Sequence, residues 1–129
     1  MNAFLMDLMD IRPSQLYLDQ NKVERLNRSF DPLNVRFNAP LPVRKIGGEV
    51  FLTDGHTRAF LYRKARVSVI SVYWDTDDLD MQLYQTCIEW CRKEKILFID
   101  DLKDRVLPHD QFVKQWIDRC AQAVKKDYS

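Results

Sequence analysis

Glycine is scarce in this chain: of 129 residues, only positions 47, 48 and 55 carry it. Without a glycine-rich loop there is neither a P-loop nor a dinucleotide fingerprint, the strongest sequence signals for nucleotide phosphates. Charge of one sign is lacking too, since 20 basic residues face 19 acidic ones for a net +1. That balance excludes the large positive field that supports nucleic-acid binding and leaves only a local basic patch. Three cysteines, an odd number with no secretory signal, fit a reducing compartment better than a disulfide framework. No apolar run could span a membrane, because Ala3-Phe4-Leu5-Met6 is broken by Asp7 and Asp10 and lacks a positive flank. A cytoplasmic protein without a membrane partner is expected. Repeats and low-complexity segments are absent, and the length suits one compact unit that needs no structural metal.

What is present centres on Val50-Phe51-Leu52-Thr53-Asp54-Gly55-His56-Thr57-Arg58-Ala59. A β-prone run follows the turn signal Gly47-Gly48, ends in Asp-Gly, and gives way at once to a helical pattern. Gly55 can adopt a backbone conformation closed to other residues, which lets strand become helix within a residue or two and leaves N–H donors pointing outward. With Thr57 and Arg58 on the first turn, those donors favour a phosphate held by the helix dipole, a hydroxyl and a guanidinium. The plainer reading is architectural: Asp54 caps the helix and Arg58 faces solvent.

Around this stretch the pattern alternates between strand and helix. Residues 3–11 read as a strand or extended arm, and Pro13 ends any helix there. A short helix from Asn21 places Val23, Leu26 and Phe30 on one face, and 34–39 reads as loop. Hairpin strands at 41–46 and 49–53, a helix from Thr57 to Lys64 and a half-buried strand from Val67 to Trp74 complete this part. Arg63, Lys64 and Arg66 add positive charge that faces solvent or a partner.

From residue 77 onward the pattern is helical, with helices at 79–95 and 110–126 and a helical turn at 100–105. Asp75, Asp77, Asp78 and Asp80 could suggest a divalent cation, yet Thr76 and the acids before a helix read better as capping and dipole compensation. Cys87, Cys91 and Cys120, with His109, could suggest zinc, but their helical spacing is that of a core face. A helix-turn-helix in the tail is disfavoured by its mixed charge and by Leu107-Pro108-His109, a turn without glycine. A helical appendage packed on the sheet, or one mediating homo-oligomerisation, is preferred.

The segment Asp54-Gly55-His56-Thr57-Arg58 resembles the signature of the ParB/sulfiredoxin-like superfamily, in which a strand ends in a glycine-centred motif closing with arginine. Ile11-Arg12-Pro13-Ser14-Gln15-Leu16 resembles the family's opening segment, Leu41-Pro42-Val43 its strand before the hairpin, and 67–74 the strand after the helix. The resemblance implies an α+β fold with a small mixed sheet: a nucleotide-binding core at 1–76 and a helical extension at 77–129 packed on it. Sulfiredoxins carry a catalytic cysteine where this chain has His56, so sulfinic-acid reduction is not implied. Partition proteins carry a glutamate and two arginines there, of which only Arg58 remains. The Asp-Gly-His form is most similar to the branch that includes free-serine kinases. That similarity implies ATP or ADP with Mg2+: Gly55, His56, Thr57 and Arg58 on the phosphates, Asp54 on the metal or an acceptor hydroxyl, and Asp54 with His56 as the catalytic pair. The branch's catalytic glutamate falls near Gln15, which takes no proton, so turnover would need Asp19 or Glu24 instead. Three readings follow: a small-molecule phosphotransferase or NTPase, a nucleotide-controlled module that binds DNA or a protein partner without turnover, and a degenerate interaction domain.

Overall fold

A computed structural model describes residues 2–128, with side chains described as far as residue 125. Strand β1 (Ala3–Asp7) ends where the Asp7 carboxylate accepts the Met9 N–H at 2.9 Å. A 3-10 turn (Leu8–Asp10) then leads into β2 (Ile11–Arg12), so the arm expected at 3–11 is two strands with a bend between them. Strand β3 (Leu18–Asp19) runs into α1 (Gln20–Ser29), whose first turn is capped by Asp19 accepting the Asn21 N–H at 3.0 Å. Strands β4 (Leu41–Ile46) and β5 (Glu49–Leu52) form the expected hairpin, with Gly47 and Gly48 at φ +60° and +84°. Two successive left-handed residues match the twist of the flanking strands, and glycine takes that conformation without steric cost.

Helix α2 (His56–Lys64) and β6 (Val69–Trp74) follow. The strand begins at Val69 rather than Val67 because 65–67 are used to close the helix. Arg66 adopts φ +64°, and the Val67 N–H returns to the Tyr62 carbonyl at 2.9 Å. The tail comprises α3 (Met81–Lys93), a 3-10 helix (Ile99–Asp104), β7 (Val106–Leu107), α4 (His109–Phe112), a π-helical turn (Val113–Ile117) and α5 (Asp118–Tyr128). Helix α3 is capped by Asp80, which accepts the Leu83 N–H at 3.1 Å; Thr76, the expected cap, precedes the helix by five positions.

The five-stranded sheet has the order β1-β6-β4-β5-β2. It is mixed: β1 lies antiparallel to β6, β6 parallel to β4, β4 antiparallel to β5, and β5 parallel to β2, with Ile11 opposite Val50. Leu41, Val43, Leu52, Ile70 and Val72 are fully buried against α2. Each such side chain contributes about 1.5–3 kcal/mol. A second core joins Leu16 and Leu18 to Cys87, Cys91, Leu102, Phe112 and Trp116 of the tail. A two-stranded parallel sheet pairs Leu18 with Val106 and Asp19 with Leu107, a backbone link between the two halves of the sequence that hydrophobic patterning did not announce. The architecture is therefore α+β, with a mixed sheet and C-terminal helices.

Candidate functional site

The turn at 54–56 is held from three sides. Tyr84 of α3 donates its hydroxyl to the Thr53 carbonyl at 2.6 Å, and the Thr53 hydroxyl donates to the buried Asp75 carboxylate at 2.6 Å. Gly55 has φ +79° and ψ +23°, and a Cβ built on it would stand 2.9 Å from Leu41 Cδ2 and 3.3 Å from Arg58 Nη2. Only glycine fits this position without displacement. Gly55 is itself the N-cap of α2 and supplies no side-chain hydrogen bond. Asp54 is therefore not the helix cap of the plainer reading: its Oδ1 accepts the Gly55 N–H at 2.8 Å, one residue short of the helix.

His56 is the unusual residue of the turn. It is 4% exposed, and its Nε2 accepts the Ser14 N–H at 2.9 Å. The Ser14 hydroxyl stands 3.5 Å from the same nitrogen but donates to the Leu52 carbonyl at 2.6 Å. Burial pushes the imidazole pKa down to about 4, against an opposing pull from Asp54, with Lys22 adding to the depression. The ring is therefore neutral near pH 7, and because Nε2 accepts, its proton sits on Nδ1. That Nδ1 is buried and has no hydrogen-bond partner among the described residues. Native structures pair nearly all such groups, so this unpaired donor singles out the turn as a candidate site.

Two cavities meet at His56. One, of about 230 Å3, is lined by Gln15, Asp19, Lys22, Asp54, His56 and Thr57, with Trp116 and Ile117 of the tail closing its far side. The other, of about 180 Å3, brings Ser14, Gln15, Tyr84, Cys87, Trp116 and Cys120 around the same imidazole. The structure thus brings Asp54, His56 and buried Thr57 to one cavity. Arg58 lines neither: its Nη1 donates to the Ala39 carbonyl at 3.2 Å, and its guanidinium lies over Gly55 on the outer side of the turn. Sequence reasoning missed Lys22, Trp116 and Tyr84. Trp116 is carried by a π-helical turn, a feature frequent at functional sites that has no local sequence signal.

The remaining candidates form no metal site. Asp75 is bound to Thr53, Asp80 caps α3, and no three His, Cys, Asp or Glu side chains converge as a metal site among the described residues. Cys87 and Cys91 are buried in α3 and Cys120 is half-buried in α5. A larger depression, about 730 Å3, lies at the opposite end of α2 among Phe60, Arg63, Lys64, Arg66 and Lys103. Its closest charge pair, Arg63 with Asp100 at 2.6 Å, is already satisfied, and the unpartnered buried donor lies at the other end of the helix.

No protein-family model and no curated protein matches the chain. Among solved structures it is similar to protein Atu1540 from Agrobacterium tumefaciens, with 15% identity and a TM-score of 0.54 over 79% of this chain and 61% of that one. The fold is ParB/sulfiredoxin-like. A sulfiredoxin from Arabidopsis thaliana also matches, with 21% identity and a TM-score of 0.47 over 60% of this chain and 88% of that one. The chain spans about three fifths of the length of Atu1540. Within this ParB/sulfiredoxin-like fold the glycine turn stands where strand β5 hands over to α2, and no cysteine lies on it. No helix among the described residues is long and apolar enough to cross a membrane.

Proposed function

We propose that the protein binds a nucleoside di- or triphosphate, ATP or ADP with magnesium, with a phosphate at the turn 54–58, and transfers or hydrolyses a phosphoryl group. The observation that carries this reading is the buried Nδ1–H of His56, unpartnered beside a helix start with no side-chain cap. A phosphate oxygen is the acceptor such a donor lacks, and the α2 dipole favours the same charge. A cavity of about 230 Å3 suits a phosphate group rather than a whole nucleotide, so the nucleoside would lie outside, on the Arg58 side of the turn.

The roles of the two candidate catalytic residues then separate. His56 cannot serve as general base, because Nε2 is occupied and Nδ1 carries the proton; it orients the phosphate as a neutral donor. Among the carboxylates lining the cavity, Asp19 has both oxygens engaged, one with the Asn21 N–H and one with His109 Nδ1 at 2.8 Å. Asp54 has one oxygen on the Gly55 N–H and a second for magnesium or an acceptor hydroxyl, consistent with a metal held by one carboxylate and the phosphates themselves. The nucleotide would supply the phosphoryl group, to a small-molecule acceptor or to water.

A second reading rests on Gln15. Its amide lines both cavities and donates to the Tyr17 carbonyl at 2.7 Å, and it cannot take a proton. That favours a nucleotide-controlled module that binds a partner without turnover. Titration calorimetry with ATP and ADP, with and without magnesium, followed by mass spectrometry of the nucleotide, separates the two. Binding with product formation supports the first and binding without it the second, while no binding to either nucleotide sinks both and leaves an interaction domain. Arg58→Ala should weaken binding by about 1.5–3 kcal/mol, the range for a charge-assisted hydrogen bond. Asp54→Asn retains an amide oxygen for the Gly55 N–H, so it should melt near wild type while losing magnesium-dependent turnover; wild-type activity would remove Asp54 from the chemistry.

A further inference from the structure

Helix α5 faces α3 next to the His56 cavity, and this contact carries two thiols. Cys87 of α3 and Cys120 of α5 both line the cavity of about 180 Å3 and pack in the same apolar cluster. Cys91, one helical turn beyond Cys87, opens instead on a separate cavity beside Arg12 and Phe51. The sequence reading absorbed all three as core side chains. The structure divides them into a pair on the wall of one cavity and a single buried thiol on another.

We propose that Cys87 and Cys120 form a reversible redox-modification site, in which a hydroperoxide oxidises the pair to a disulfide joining α3 to α5. The balance is simple. The Cys120 thiolate attacks one peroxide oxygen, the O–O bond breaks, and water or an alcohol leaves, giving a sulfenic acid on Cys120. The Cys87 sulfur then attacks that sulfur, the S–O bond breaks, and a second water leaves with the Cys87 proton. The peroxide is reduced by two electrons, the two thiols are oxidised by two, and a cellular dithiol reverses the change by exchange.

The environment assigns the order of attack. The neighbouring Cys87 thiol, with Arg119 adding to it, holds Cys120 below the usual thiol range against the opposing effect of burial. The same contact and burial push Cys87 up. Cys120 is half-buried and Cys87 is 4% exposed, which puts the attacking sulfur nearer solvent. Burial raises Cys91 to about 12, so it is the internal control. Because Trp116 lies on the same helical stretch as Cys120 and lines both cavities, the bond would fix the wall that covers His56. The proposal stands whether or not a nucleotide binds there.

The test is treatment of the full chain with hydrogen peroxide, alkylation, and peptide mapping without reductant. The expected result is an intramolecular peptide linking Cys87 to Cys120, Cys91 recovered as an alkylated thiol, and full reversal by dithiothreitol. Cys87→Ser should leave a sulfenic acid on Cys120 that dimedone captures, and Cys91→Ser should link as the wild type does. Hydrogen exchange across α5 should slow several-fold on oxidation. The proposal is overturned by the absence of the linked peptide in both wild type and Cys91→Ser, by a link found only between chains, or by Cys91 oxidising as fast as Cys120.

Discussion

The ionisation of His56 makes a quantitative prediction about stability against pH. The imidazole titrates near 6.5 in an open chain and near 4 in the fold, where burial and the Ser14 N–H favour the neutral ring. Between those values the unfolded chain binds a proton that the folded chain refuses, so stability is present in full above about pH 6.5 and is lost as pH falls toward 4. At about 1.4 kcal/mol per pH unit the gap is worth about 3 kcal/mol, a large share of the 5–15 kcal/mol typical of a domain. The perturbation that isolates it is His56→Gln, whose amide oxygen can accept the Ser14 N–H but does not titrate. Urea unfolding at intervals from pH 4 to 8 should show the wild type losing about 3 kcal/mol relative to the variant across that window. His109 is present in both proteins and cancels in the difference. Parallel stability curves would refute the reasoning, since they would mean that His56 is as accessible to protons in the fold as in the open chain.

Gly55→Ala should destabilise by about 1–3 kcal/mol in denaturant titration, because a left-handed alanine is strained and its Cβ meets Leu41 at 2.9 Å; an unchanged midpoint would show that the turn relaxes freely. Cys87→Ala with Cys91→Ala should lower the melting temperature by several degrees through lost core packing, with no metal released; elemental analysis finding about one zinc per chain, absent from the double variant, would overturn the assignment.

The fold was legible where local pattern and tertiary role coincide. Gly47-Gly48 dictates a tight hairpin wherever it lies, and Val69 to Trp74 alternates because one face packs on α2. Boundaries moved where side chains compete for the same backbone group. Asp80, directly before the first turn, takes the cap expected of Thr76, and the left-handed Arg66 delays β6 by two residues. The β3–β7 pair was illegible because two residues carry no period, and its register depends on partners almost ninety positions apart in the chain.

The candidate site divides along the same line. The strand, glycine and helix succession is local, so the turn is legible in the sequence, and so is the absence of a motif cysteine. What His56 can do is not local. Its acceptor nitrogen is filled by a residue 42 positions earlier, and its cover comes from Trp116, on a π-helical turn near the other end of the chain. The family resemblance implies His56 on the phosphates and, with Asp54, in a catalytic pair. Burial by the tail changes that chemistry, because a ring protonated only near pH 4 and already accepting at Nε2 can present nothing but a fixed N–H donor. On the proposed reading, a fixed neutral donor next to a helix N-terminus would position an anion without taking its proton, which would leave any proton chemistry to the carboxylate of Asp54 and make the helical extension part of the site.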